Sequence, residues 1–153
     1  MTPAPTVTSL RLTKLIRARR EKVFDAWTNP ELIKQWMGPG AITVPSAQVE
    51  LKVGGRYRME MDNAGKLLAV YGEYVEIVPN RKLVFTWGWE GPNRYETLVT
   101  VRFEDKDGGT EVTLLHERFA DADDMGRHEH GWTGSLAKLA TVVERQPDAR
   151  LRP

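Results

Sequence analysis

Hydrophobic positions change period along this chain, and each change marks an element. From Thr8 to Arg17, Leu10, Leu12 and Leu15 or Ile16 sit among polar residues, which predicts a strand. The spacing then turns helical. Val23, Phe24, Ala26 and Trp27 mark one short helix, and Leu32, Ile33, Trp36 and Met37 mark a second. Asn29-Pro30-Glu31 between them is a start signal: Asn caps, Pro suits the first helical position, and Glu complements the helix dipole. Gly38-Pro39-Gly40 ends the pair.

From Ala41 onward the pattern is that of consecutive strands: Ile42 to Lys52, Arg56 to Asp62, Lys66 to Val78, Lys82 to Trp89, Arg94 to Glu104, and Thr110 to Phe119. The breaks at Gly54-Gly55, Asn63-Ala64-Gly65, Pro79-Asn80, Gly91-Pro92-Asn93 and Asp105 to Gly109 carry residues suited to tight turns. Strands on such short turns pair mostly antiparallel, because a parallel return needs a long crossover. The last segment, Asp121 to Arg145, has Met125, Trp132, Leu136, Leu139 and Val143 at helical spacing. Tails rich in Pro and charge flank the elements at Met1–Pro5 and Gln146–Pro153.

The alternation also assigns faces. Tyr57, Met59 and Met61 oppose Arg56, Arg58, Glu60 and Asp62; Leu83, Phe85, Trp87 and Trp89 oppose Val84, Thr86 and Gly88. Tyr95, Thr97, Val99, Val101 and Phe103 share one side, as do Val112, Leu114 and His116. One apolar face must be covered, and the long C-terminal helix is the element to cover it. The expected class is therefore α+β: a strongly curved antiparallel sheet of about seven strands, with two short helices and one long helix packed across it.

Composition narrows this without changing it. A length of 153 residues fits one domain, 1–153, with a core over about 9–145. The absence of cysteine excludes a disulfide framework, a thiolate metal site and a cysteine nucleophile, and permits a cytoplasmic setting. A net charge of +1 gives no reason to expect nucleic acid. No apolar run reaches the ~18 residues of a membrane span, and the N-terminus is no signal peptide.

Several stretches resemble a known family in the same order. They are Val23-Phe24-Asp25-Ala26-Trp27-Thr28-Asn29-Pro30-Glu31-Leu32, Gln35-Trp36-Met37-Gly38-Pro39, Val53-Gly54-Gly55-Arg56-Tyr57-Arg58 and Gly72-Glu73-Tyr74. Ile77-Val78-Pro79, Leu83-Val84-Phe85-Thr86-Trp87, Leu114-Leu115-His116-Glu117 and the run from His130-Gly131-Trp132 to Leu139 continue it. Over roughly Ser9 to Glu144 the chain resembles the SRPBCC (START/birch-pollen-allergen-like) superfamily, in the branch named after the activator of 90-kDa heat-shock protein ATPase homologue. The resemblance implies a helix-grip fold with a hydrophobic cavity between sheet and long helix. It does not fix an activity, because the superfamily hosts lipid carriers, allergens, aromatases, hydrolases and antibiotic-sequestering proteins. The eukaryotic co-chaperones of the branch carry an additional N-terminal domain, for which this chain is too short.

A single helix ~10–12 Å wide cannot fill a strongly curved sheet, so space is expected near the sheet mouth, bordered by Gly38–Ala41 and Gly88–Asn93. The expected ligand-binding wall is Trp36, Tyr57, Met59, Met61, Phe85, Trp87, Val99, Leu114, His116 and Trp132; Met and aromatic surfaces suit planar apolar ligands. Each of these residues reads more readily as ordinary core, and Trp27 and Trp36 read as core anchors that lock the short helices to the sheet. Catalytic candidates are His116 on the inward face of the last strand, His128 four residues before Trp132, and Glu73 if it points inward with Val75 and Ile77. Tyr57 or Tyr95 could join such a relay. The bland alternatives are satisfied or exposed histidines and a strand-edge carboxylate paired with Arg. His128 and His130 point to different sides of a helix, so no metal site is expected, nor any cofactor.

The basic run from Arg11 to Lys22 reads as a solvated face, and Asp121, Asp123 and Asp124 as dipole partners at a helix start. Gly126, Gly131 and Gly134 within the long helix mean either close backbone approach to the sheet or softness near the cavity mouth. The leading function is binding of a small hydrophobic or aromatic molecule. The alternatives are an enzyme of the polyketide cyclase/aromatase or hydrolase type in the same cavity and, more distantly, a chaperone-partner protein. The expected partner is a small apolar molecule; a homodimer stays open.

Overall fold

The computed structural model describes residues 9–92 and 95–145. The expected tails, Thr8 at the start of the first strand, and Asn93 and Arg94 lie outside the described residues. The elements run β1 (Leu10–Ile16), α1 (Arg20–Thr28), α2 (Pro30–Trp36), β2 (Thr43–Val49), β3 (Arg56–Asn63), β4 (Lys66–Val78), β5 (Lys82–Trp89), β6 (Glu96–Lys106), β7 (Gly109–Glu117) and α3 (Ala122–Arg145). No helix among the described residues is long and apolar enough to cross a membrane.

The strands form one seven-stranded sheet in the order β1-β7-β6-β5-β4-β3-β2. Every neighbouring pair is antiparallel. β2 to β7 follow one another through short connections, so only β1 lies far in sequence from its neighbour β7. α1 and α2 carry the chain from the β1 edge to the β2 edge. In the expected start signal, the Asn29 side chain accepts from the Glu31 N–H at 3.0 Å and Pro30 opens α2.

The face assignment follows the alternation. Tyr57, Met59, Met61, Leu83, Phe85, Trp87, Val99, Val101, Phe103, Val112, Leu114 and His116 are all buried. α3 covers them with Trp132, Leu136, Leu139, Ala140 and Val143. The short helices are tied in by indoles: Trp27 and Trp36 meet edge to face at 4.7 Å, and the Trp36 N–H donates to the Ala26 carbonyl at 2.9 Å. Arg20, from the basic run, pairs with Asp105 at 3.1 Å.

One face assignment is corrected. Tyr74, not Glu73 or Val75, points into the core; Glu73 is exposed and Val75 is half exposed. The β4–β5 register shifts between Tyr74 and Glu76, so Tyr74 sits opposite Phe85 and Ile77 opposite Leu83. Val75 is the extra residue of a bulge, which reverses parity there. Counting back from Ile77 by twos through the bulge puts Glu73 on the wrong side.

Two glycines let the central strands bend. Tyr57 stands opposite Gly72, and its hydroxyl reaches past that position to donate to the Thr86 carbonyl at 2.5 Å. A Cβ on Gly72 would lie 2.0 Å from the same carbonyl oxygen and 2.6 Å from the Tyr57 ring. Tyr71 lies over Gly88 in the same way one strand further on. Glycine inside a strand marks such a bend or close approach.

Gly72→Ala is therefore expected to destabilise the fold by ~3 kcal/mol or more, because backbone rather than a flexible tip stands in the way. Gly126→Ala in α3, where an added Cβ meets nothing within 4 Å, should stabilise by about 0.5–1 kcal/mol. Urea melts of the two variants beside the parent chain check both signs.

Candidate functional site

A pocket of about 480 Å³ opens between the first half of α3, the loop after α2, and the ends of β3, β4 and β5. Met61, Trp87 and Trp132 form its floor; Met37, Pro39 and Ile42 form one wall; Trp89, Leu68 and His128 border the mouth. Asp124 and Arg127 also reach it, paired with each other at 3.2 Å. The lining is thus mostly apolar, with Asn63, His128 and Ser135 as its other polar members.

The loop wall is fixed from α3. Gly38 and Gly40 both have positive φ, +92° and +58°, a conformation that costs glycine little. The Lys138 ammonium donates to the carbonyls of Gly38, Gly40 and Ile42 at 2.7, 3.2 and 3.1 Å. Partial burial lowers the Lys138 pKa from its ordinary value. The Gly38 N–H donates to the Ser135 hydroxyl at 3.1 Å. A Cβ on Gly134 would stand 2.6 Å from Pro39, so this glycine permits close approach, but to the loop rather than to the sheet. Gly131 borders the pocket, and a Cβ there would meet nothing within 4 Å.

Two histidines stand beside the pocket, each held by an indole. The Trp132 N–H donates to His116 Nδ1 at 3.0 Å. An indole N–H only donates, so Nδ1 carries a lone pair and the neutral ring bears its proton on Nε2. That proton goes to Thr97 Oγ1 at 2.6 Å, and the threonine hydroxyl donates onward to the Trp87 carbonyl at 2.9 Å. Burial, with a smaller contribution from His128, pushes the His116 pKa down to about 2. His128 repeats the arrangement at the mouth: Nε2 accepts from the Trp89 N–H at 3.0 Å, and Nδ1 donates to the Asp124 carbonyl at 2.8 Å. The two rings lie 5.1 Å apart, with Phe119 packed on both.

A family model described as "Activator of Hsp90 ATPase homolog 1-like protein" matches residues 17–144. The chain belongs to this family. It therefore lies in the SRPBCC branch that the ordered stretches resemble. Solved structures of similar proteins include one from Chromobacterium violaceum, 26% identical with a TM-score of 0.83, covering 92% of this chain and 99% of that one. The AHSA1 protein of Silicibacter pomeroyi is 30% identical with a TM-score of 0.79, covering 87% and 95%. A protein in the dynemicin biosynthetic locus is 19% identical with a TM-score of 0.75, over 90% of this chain and 48% of that one, and shares the fold alone. The mouse activator of 90 kDa heat shock protein ATPase homolog 2 is 31% identical over 113 residues, 72% of this chain. This chain spans 30% of that relative's length.

Within this Hsp90-activator-like fold the expected wall divides. Met61, Trp87 and Trp132 border the pocket. Tyr57, Met59 and Phe85 surround a second, inner space of about 20 Å³ behind Trp87. Trp36, Val99, Leu114 and His116 border neither and are fully buried core. Of the catalytic candidates, Glu73 is far from buried, and both histidines have their ring nitrogens engaged. The Tyr57 hydroxyl is committed to Thr86, and burial, Tyr74 and Glu96 hold its pKa well above the ordinary value; Tyr95 is exposed. Lining residues outside the expected wall include Met37, Ile42, Asn63, Leu68, Asp124, Arg127, Gly131 and Ser135, whereas Gly38, Pro39 and Trp89 fall in the two segments expected to border the mouth.

His116 makes stability depend on pH. Its folded pKa lies below the unfolded value of about 6.5, so below that pH the unfolded chain binds a proton that the native state refuses. Its contribution is full above pH ~6.5 and falls by up to about 1.4 kcal/mol per pH unit beneath it. Urea melts from pH 7.5 to 5 should show this slope, and His116→Gln should flatten it by about one proton.

Proposed function

We propose that this protein binds one small, largely apolar, planar molecule in the pocket between α3 and the ends of β3 to β5. The observation that carries the reading is an apolar space of about 480 Å³ whose loop wall is already braced by Lys138 and Ser135. Small-molecule sites commonly occupy roughly 300–1,000 Å³, apolar in the main with a few polar groups. Bracing favours affinity, because a wall fixed beforehand loses little freedom on binding. Three indoles and two methionines among the lining suit a flat ring system.

The enzyme alternative, of the cyclase, aromatase or hydrolase type, draws less support. Proton transfer needs a base with a free lone pair; the histidine lone pairs accept from Trp132 and Trp89, and the Asp124 carboxylate is paired with Arg127. The chaperone-partner alternative draws on the mouse relative's name, and this chain spans 30% of that protein. A single domain over 1–153 working in the cytoplasm, alone or as a homodimer, completes the proposal.

Titration with 8-anilinonaphthalene-1-sulfonate, followed by tryptophan emission and calorimetry, is expected to show saturable binding to one site with quenching of Trp87 or Trp132. Gly131→Phe places a ring in open pocket space and should weaken binding at least about tenfold with little change in the urea midpoint. Absence of saturable binding by the parent chain, or unchanged affinity in a folded Gly131→Phe variant, would overturn the proposal.

A further inference from the structure

Two indole N–H groups, those of Trp27 and Trp87, are buried without a hydrogen-bond partner. Both rings border the same inner space of about 20 Å³. A buried donor left unpaired costs about 1–3 kcal/mol, and native structures rarely leave one without a purpose. Two around one small space is a concentration of unmet donor capacity. The other indoles nearby are served: Trp36 donates to Ala26, Trp89 to His128 and Trp132 to His116.

The inner space adjoins the outer pocket. Met37 and Trp87 border both, so they form the partition between them. Met37 is an unbranched thioether that changes shape at small cost. The volume suits about one oxygen atom or one water. The rest of the inner lining is apolar or aromatic (Ile33, Val49, Tyr57, Met59, Tyr74 and Phe85) and includes no Lys, Arg or His. The Tyr57 hydroxyl already donates to Thr86.

We infer that the inner space is an acceptor subsite, which takes the neutral carbonyl oxygen of a planar apolar ligand lying in the outer pocket and pairs it with the Trp27 and Trp87 N–H groups. This rests on the pocket-binding reading and narrows it to a chemical class: aryl ketones, quinones, and flat esters or amides. A carbonyl oxygen has two lone pairs, one for each donor. A carboxylate fits poorly, because its charge would be buried with no cation along the inner lining. A hydrocarbon of the same shape fills the volume and leaves both donors unpaired.

The test compares 2-acetylnaphthalene with its isostere 2-isopropenylnaphthalene and with 2-naphthoate by calorimetry. The ketone is expected to bind at least about tenfold tighter than the alkene and the carboxylate. In Trp87→Phe and Trp27→Phe the ketone-to-alkene ratio should fall towards one. An infrared readout on the unmodified chain keeps the idea exposed even if a variant fails to fold: the bound ketone's carbonyl band should lie below its position in alkane solvent. Equal affinity for ketone and alkene, with no such displacement, would overturn the acceptor subsite while leaving the pocket reading intact, the N–H groups then resting on neighbouring ring faces. Tightest binding of 2-naphthoate would overturn the neutral class. Failure of all three compounds to bind would overturn the pocket reading and this one with it.

Discussion

The Trp132 ring is the point at which α3, α1, β5 and β7 meet. It hangs from α3, stacks near-parallel on Trp27 of α1 at 5.8 Å, lies 4.9 Å from Trp87 of β5, and donates its N–H to His116 of β7. A long helix across a curved sheet could slide along its axis if apolar contact alone held it, because such contact has little direction. The hydrogen bond to His116 supplies direction from inside the core, and those of His128, Ser135 and Lys138 add to it nearer the surface. The same ring is part of the pocket floor, so the feature that seats the helix also shapes the space beside it.

The polar thread that begins at Trp132 explains why a fully buried histidine need not signal catalysis. Each donor in the series Trp132, His116, Thr97 and the Trp87 carbonyl has one acceptor, and each acceptor has one donor. A buried polar network satisfied throughout specifies one arrangement, whereas a half-satisfied one is costly. Register makes it available: Val99 stands opposite both Phe85 and His116, which brings Thr97 within reach of both neighbouring strands. Protonating His116 would put a second donor against an indole N–H that cannot accept. The residue is better suited to holding shape than to moving protons.

Much of this fold is legible from period alone, since alternation is a strong signal where one face of a sheet is buried. The limits are equally physical. Periodicity cannot see the bulge at Val75, so Glu73 is placed inside when Tyr74 takes that position. Nor does it separate a residue buried against protein from one buried against a pocket: Leu114 and Trp87 share one pattern, yet only Trp87 borders open space. That difference depends on where the helix stops short of the sheet. The lining residues that the loop after α2 contributes, Met37, Gly38, Pro39 and Ile42, take their position from Lys138, Ser135 and Gly134 about a hundred residues away in the chain, which no local pattern shows.

That long-range bracing bears on how the pocket can work. The loop turns twice through positive φ, which aims the Gly38, Gly40 and Ile42 carbonyls towards one point, and the three donors of the Lys138 ammonium meet them there. Arginine would present a planar fork, poorly matched to three converging oxygens. An apolar residue would leave the carbonyls without this partner. The opposite wall is α3 itself, so loop and helix are tied as one body. The adjustable parts are then side chains, chiefly Met37 at the partition and Leu68 and Trp89 at the mouth. On the proposed reading, such a site discriminates by shape on its rigid walls and adapts at its thioethers. Selectivity among flat ligands would then be decided in the inner space bordered by Trp87, where a single oxygen atom is the difference between two paired donors and two unpaired ones.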